Sequence, residues 1–112
     1  MRLSTKKEQQ LCIVSVEEPR IDAASALRFK DAMRQQTGEM DGHVVLDLSA
    51  VQFIDSSGLG AIVAALKNIG NDRQMAVAGL TPAVARVFQL TRMDTVFAIF
   101  STLDGAVNEL RA

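Results

Sequence analysis

The sequence contains no Trp and no Tyr, one Cys, one His and no long apolar segment. Its 12 basic residues balance 13 acidic ones, and no basic cluster extends beyond Lys6 and Lys7. Nucleic-acid binding relies on clustered positive charge and often on stacking aromatic side chains, so we expect no direct nucleic-acid partner. No apolar stretch approaches the roughly 18 residues of a membrane span, and the polar N-terminus lacks a signal-peptide core. We therefore expect a cytoplasmic protein with no membrane insertion.

The scarcity of His and Cys also restricts the chemistry. Cys12 cannot form an intrachain disulfide, and its apolar neighbours favour a buried core position. His43 precedes a predicted strand whose far end leads toward the serines at 56 and 57, so a serine nucleophile would lack a neighbouring base. One His and one Cys leave only carboxylates as metal ligands, and neither EF-hand nor Walker spacing is present. We expect a protein that is not an enzyme and has no metal and no cofactor.

Apolar runs typical of strands alternate along the chain with segments of helical periodicity. The predicted strands cover residues 11–16, 44–48, 74–78 and 96–100, with a short strand before residue 11. The predicted helices follow Asp22, Ser56 and Ser57, Thr81 and Ser101, and Asp22, Thr81 and Ser101 are the predicted N-caps. This order indicates an α/β fold with a mixed, mostly parallel sheet of four to five strands and about four helices. The length fits one domain over residues 1–112.

The most informative segment is residues 54–60, Ile-Asp-Ser-Ser-Gly-Leu-Gly, between a predicted strand and a predicted helix. The hydroxyls of Ser56 and Ser57 lie at the helix N-terminus, where unpaired N–H groups and the helix dipole suit an anion such as phosphate. Gly58 and Gly60 each cost about 1 kcal/mol in a helix relative to alanine, which indicates that bare backbone matters there. An alternative stays open: the serines cap the helix, and the glycines only permit close packing.

Three aspartates accompany this segment. Asp22 precedes the first helix, Asp47 lies inside an apolar strand, and Asp55 adjoins Ser56. In α/β folds the strand ends and helix starts converge on one edge of the sheet, so Asp22 and Asp55 are expected to be neighbours. The alternative is that Asp22 is only a helix cap and that Asp47 accepts from a loop amide.

One side of the predicted central helix carries no charge. At 100° per residue, five small or uncharged residues cluster opposite its apolar stripe: Ser57, Ala61, Ala64, Ala65 and Asn68. A solvated helix face normally carries more charge, so this side is a candidate docking surface beside the hydroxyls. A second packed layer from the same chain is the open alternative.

Residues 44–60 resemble the signature of STAS domains, the anti-sigma factor antagonist family. The segment Asp22-Ala23-Ala24-Ser25 resembles the family's segment at the first helix, and residues 79–91 resemble its later strand-to-helix unit. The resemblance covers nearly the whole chain, and the Asp-Ser-Ser-Gly core is specific. Two departures stand out: Pro19 where many members have glycine, and Thr91-Arg92 where the family has Thr-Gly.

The resemblance implies partner switching with Ser56 as the phosphorylation site. The unphosphorylated domain would bind an anti-sigma factor or related serine kinase domain, which phosphorylates it with ATP, and a PPM-type serine phosphatase would reverse the modification. The implied partner-binding residues are Asp22, Ser25, Asp55, Ser57, Gly58, Gly60, Ala61 and Ala64. The alternative is a STAS-type structural subunit that docks permanently on a transporter or lipid-trafficking complex without a phosphate cycle.

Overall fold

The computed structural model describes residues 1–8, 10–38 and 42–111. These residues form seven strands, four α-helices and one short 3₁₀ turn, Met93–Thr95. The strands are β1 (Leu3–Glu8), β2 (Leu11–Val16), β3 (Arg20–Ile21), β4 (His43–Asp47), β5 (Phe53–Ile54), β6 (Met75–Ala78) and β7 (Ala98–Phe100). The helices are α1 (Ala26–Thr37), α2 (Ser56–Ile69), α3 (Pro82–Leu90) and α4 (Leu103–Arg111).

Five strands form the main sheet in the order β1-β2-β4-β6-β7. β1 pairs antiparallel with β2, and the other neighbours pair in parallel. The predicted α/β class, with a mixed, mostly parallel sheet and four helices, is confirmed. None of the helices among the described residues is long and apolar enough to cross a lipid bilayer.

Side chains alternate along the strands and therefore build a core on each face of the sheet. The larger core lies under α1, α2 and α3, and the smaller one lies under α4. On the first face Val14, Val44, Leu46 and Val77 meet helix residues that include Phe29, Ile62 and Phe88. On the second face Leu11, Ile13, Val45 and Ala78 meet Ala106 and Val107. Cys12 is buried in the larger core, as predicted, and burial raises the pKa of its thiol.

A second, two-stranded sheet was not predicted. β3 and β5 pair in parallel, with Arg20 opposite Phe53 and Ile21 opposite Ile54. The carbonyl of Pro19 accepts hydrogen bonds from the backbone N–H groups of Gln52 and Phe53 and closes one end of this ribbon. Because β3 and β5 run in parallel and end at Ile21 and Ile54, the residues that follow, Asp22 and Asp55, lie side by side at the start of α2.

Two helix starts differ from the prediction. α1 begins at Ala26, three residues later than predicted, because Asp22 stabilises a turn instead of capping the helix. The N–H of Ser25 donates to Oδ1 of Asp22 at 3.3 Å, and the Ser25 hydroxyl donates to the same atom at 3.2 Å. At α4 the cap is Thr102, not Ser101, since the N–H of Gly105 donates to Thr102 Oγ1 at 3.0 Å.

Further details separate the remaining alternatives. Asp47 Oδ1 accepts from the N–H of Ser49, and Oδ2 accepts from the Ser15 hydroxyl, so the loop-amide alternative is correct for Asp47. Thr81 is the N-cap residue of α3 by position, but its hydroxyl donates to the carbonyl of Val51. The last strand begins two residues later than predicted because the preceding segment forms the 3₁₀ turn.

Candidate functional site

Asp55 organises the start of α2. It is the N-cap residue with extended backbone, and its carboxylate uses both oxygens. The N–H of Gly58 donates to Oδ1 at 2.8 Å, and the N–H of Ala23 donates to Oδ2 at 3.0 Å. The first bond caps the helix, and the second ties it to the turn that contains Asp22. The expected proximity of the Asp22 and Asp55 segments is confirmed, and the alternative that a serine caps α2 is wrong.

Ser56 and Ser57 occupy the first turn of α2, and both are exposed. Within the described part of the chain, neither hydroxyl makes a hydrogen bond. The cap position is taken by Asp55, so these hydroxyls face solvent at the positive end of the helix dipole. Both hydroxyl groups are therefore accessible to a second protein.

The two glycines of this segment have opposite environments. Gly58 is buried, and a Cβ atom at this position would lie 2.0 Å from the carbonyl oxygen of Ile21. Gly60 is exposed, and a Cβ atom there would meet nothing within 4 Å. Gly58 is thus required for the close approach of β3 to α2, whereas Gly60 leaves a flat, open surface. Gly58 is therefore an interior packing position, in contrast to its predicted role in partner binding.

The uncharged side of α2 likewise has a buried part and an exposed part. Ala61 is 2% exposed and Ala65 is 6% exposed, because α1 packs against this part of the helix. For these two residues the alternative of a second packed layer is correct. Ala61 is therefore an interior packing position, in contrast to its predicted role in partner binding. Ser57 and Asn68 are exposed and Ala64 is half-buried, so they border the packed layer.

A basic side chain lies on the outer face of the small sheet. The Nε atom of Arg20 is 3.1 Å from Oδ2 of Asp22, and its guanidinium carbon is 4.2 Å from the centroid of the Phe53 ring. The hydrogen bond from Arg20, with smaller contributions from Ser25, lowers the pKa of the Asp22 carboxyl. Phe53 is one of the few large apolar side chains that stay exposed, at 40%. Asp22, Arg20 and Phe53 therefore form one connected surface beside Asp55.

A known protein family matches almost the whole chain. The sequence profile of the STAS domain family matches residues 2–106. The chain belongs to the STAS domain family.

Three similar proteins carry the same kind of name. The anti-sigma-F factor antagonist RsfB of Mycobacterium tuberculosis is 31% identical to this STAS domain over 91 residues, which cover 81% of this chain and 75% of RsfB. The crystal structure of an anti-sigma factor antagonist from Mycobacterium paratuberculosis superimposes with a TM-score of 0.90 at 29% identity, over 99% of this chain and 94% of that one. The unphosphorylated form of SpoIIAA, also an anti-sigma factor antagonist, superimposes with a TM-score of 0.78 over 98% of this chain and 96% of that one, and at 14% identity it supports the fold alone.

Sequence reasoning did not single out Arg20 and Phe53 as site residues of this STAS domain. They face each other only because β3 and β5 pair, and two-residue strands carry no periodicity to read. The one available signal was the Arg-Ile-Asp alternation at residues 20–22, which puts Arg20 and Asp22 on the same side of an extended segment.

The double role of Asp55 gives a stability prediction for the STAS domain. Replacing Asp55 with Ala removes the cap of α2 and the tie to Ala23, and we expect it to lower the free energy of unfolding by about 2 kcal/mol. Thr102→Ala removes a single cap bond at α4 and is the matched control, with an expected loss of about 1 kcal/mol. Urea unfolding of both variants measures the difference. Equal losses would mean that the bond to Ala23 contributes no stability.

Proposed function

We propose that this STAS domain is a phosphorylation-controlled partner-switching regulator of the anti-sigma factor antagonist type, with Ser56 as the modified residue. The observation that carries the proposal is the hydroxyl of Ser56, which is exposed and makes no hydrogen bond to any described residue. It comes directly after Asp55, whose two carboxylate oxygens hold the surrounding backbone in position. The names of RsfB and of the M. paratuberculosis structure support the same function. As a regulator, the domain would act in the cytoplasm through binding and without catalysis of its own.

The partner in this proposal is an anti-sigma factor or related protein with a serine kinase domain. It would bind the unmodified surface, which combines polar groups at Ser57 and Asp22 with open backbone at Gly60 and the border residue Ala64. Two exposed apolar side chains lie on the neighbouring elements: Leu27, 67% exposed in the first turn of α1, and Phe53 on β5. Apolar side chains beside polar groups are typical of a protein-docking surface.

The proposed cycle needs only chemistry supplied by the partners. The kinase domain would transfer the γ-phosphoryl group of ATP to Oγ of Ser56 and release ADP, and a PPM-type serine phosphatase would hydrolyse the phosphate ester. The phosphate adds nearly two negative charges beside the carboxylates of Asp22 and Asp55. The N-terminus of α2 accommodates this charge locally, whereas a docked partner must desolvate it. Release therefore requires no change of fold.

A structural subunit of a transporter or lipid-trafficking complex is the competing function. It would use the same surface but would need no reactive hydroxyl. The relatives reported above are named antagonists, which favours the switch.

Phosphate mapping tests the proposal. Ser56→Ala protein would be used to capture the partner from native lysate, and the purified partner with ATP would then be offered the wild type, Ser56→Ala and Ser57→Ala. We expect phosphate on Ser56 in the wild type and in Ser57→Ala, and none on this segment in Ser56→Ala. Phosphate on Ser57, or a captured partner with no kinase activity toward this domain, would contradict the proposal, and a captured transporter component would favour the subunit.

A further inference from the structure

Arg20 is held by two interactions that are easily exchanged. Its guanidinium stacks on the Phe53 ring at 4.2 Å and pairs with Asp22 at 3.1 Å, and its side chain is still 57% exposed. Exposed ion pairs and exposed cation–π contacts each contribute about 1 kcal/mol or less. The other three residues of the two-stranded sheet are Ile21, Phe53 and Ile54, so Arg20 is the charged residue of this sheet.

We propose that Arg20 is the residue of this domain that responds to the modification: on phosphorylation of Ser56 its guanidinium leaves Asp22 and pairs with the phosphate. This inference rests on the proposed function, because it requires phosphate at Ser56. It concerns an arginine that lies outside the Asp-Ser-Ser-Gly segment.

Charge and hydrogen bonding favour the exchange. A phosphoserine carries nearly two negative charges and three acceptor oxygens, whereas Asp22 offers a single charge. Arginine pairs with phosphate through two parallel hydrogen bonds, which are stronger than a single bond to a carboxylate. Asp55 is a weaker competitor than the phosphate for the guanidinium, because each of its two oxygens already accepts one hydrogen bond, from Ala23 and Gly58, whereas the phosphate offers three acceptor oxygens.

The distance permits the exchange without movement of the backbone. Arg20 lies opposite Phe53, and Ser56 follows Phe53 by three residues. With the usual strand spacing and rise per residue, the Cα atoms of Arg20 and Ser56 are about 11 Å apart. An arginine and a phosphoserine side chain extended toward each other span this gap.

The exchange alters the surface in two ways besides adding the phosphate. The Asp22 carboxylate loses its cation, and the Phe53 ring loses the guanidinium that covers it. Through the movement of Arg20, phosphorylation would thus change the apolar contact at Phe53 and the acidic contact at Asp22 together.

A ³¹P NMR titration tests the contact without any kinase. Phosphoserine would be incorporated at position 56 by genetic encoding, and the second pKa of the phosphate would be measured in the full chain. Asp22 and Asp55 raise this pKa and Arg20 lowers it, so we expect Arg20→Gln to raise it by about 1 relative to the wild type. Arg20→Lys, which keeps the charge but cannot make the two parallel hydrogen bonds, should restore only part of the difference.

Arg34→Gln is the matched control. Arg34 is exposed to a similar degree, 63%, and it also pairs with an aspartate, Asp31. It lines a cleft with Asn68, which lies about 18 Å further along α2 than Ser56. Salt screens an exposed charge at that distance, so the pKa should not move. Equal titration of the wild type and Arg20→Gln would overturn the proposal, and so would an equal effect of Arg34→Gln. Because the phosphate is introduced synthetically, these results do not depend on whether a kinase modifies Ser56, which phosphate mapping tests separately.

Discussion

Phosphorylation of Ser56 is expected to weaken binding of the anti-sigma factor partner about a hundredfold, and Ser56→Asp about tenfold. A penalty of about 2.8 kcal/mol is enough for the hundredfold loss, and half of it gives the tenfold loss. The phosphate carries nearly twice the charge of the aspartate, and both enter an exposed surface that already contains Asp22 and Asp55. The partner must remove water from this charge, while the unbound domain keeps it solvated. Isothermal titration calorimetry with the purified partner measures both losses.

Two variants separate charge at Ser56 from general damage to the surface. Ser56→Ala should bind with the affinity of the unmodified wild type, because the hydroxyl makes no hydrogen bond within the described residues and its loss leaves no partner unsatisfied. Ser57→Asp places the same charge one residue later, about 100° around the helix. Because Ser57 belongs to the docking surface, its variant measures how far a charge anywhere on that surface weakens binding. If the domain phosphorylated at Ser56 bound the partner as tightly as the unmodified wild type, the assignment of the switch to Ser56 would be wrong.

The long elements of the fold could be predicted because their patterns are repeated several times. The strands that became β2, β4 and β6 are apolar runs, and the helices carry apolar residues at helical spacing, so the α/β class and the position of the helix start at residue 56 followed directly. The pair β3 and β5 could not be predicted in this way, since each strand has two residues. The connection between Asp55 and the Asp22 turn was expected only as proximity, and its specific bond, Ala23 N–H to Asp55, depends on that small sheet.

The uncharged side of α2 illustrates a different limit. Small uncharged residues suit a helix that packs on another helix as well as they suit a docking surface, so the residue types do not separate the two. The structure shows helix packing at the middle of this side, because Phe29 and Met33 of α1 are buried in the same core as Ala61 and Ala65. Only the residues at the border of that layer remain available to a partner. Sequence alone carries no signal for this border, because it depends on how closely two helices approach.

The two glycines of α2 should respond in opposite directions to the same substitution. We expect Gly58→Ala to lower the free energy of unfolding by roughly 2–3 kcal/mol, because its new Cβ would lie 2.0 Å from the backbone carbonyl of Ile21, which cannot rotate away as a side chain does. The helix propensity of alanine offsets only about 1 kcal/mol of that strain. Gly60→Ala should raise the free energy of unfolding by about 0.5–1 kcal/mol, since its Cβ meets nothing within 4 Å and only the propensity remains.

Urea unfolding of the two variants compares the effect of the same added methyl group at two positions of α2. Helix propensity enters both measurements equally, so their difference isolates the contact between α2 and β3. A shift of the Gly58→Ala midpoint with an unchanged denaturant slope would indicate strain in the folded state. If Gly58→Ala were as stable as Gly60→Ala, the close approach of Ile21 to α2 would be absent in solution. The ribbon of β3 and β5 that aligns Arg20, Asp22 and Asp55 beside Ser56 would then lose its structural basis, so this stability measurement also tests the geometry on which the switch depends.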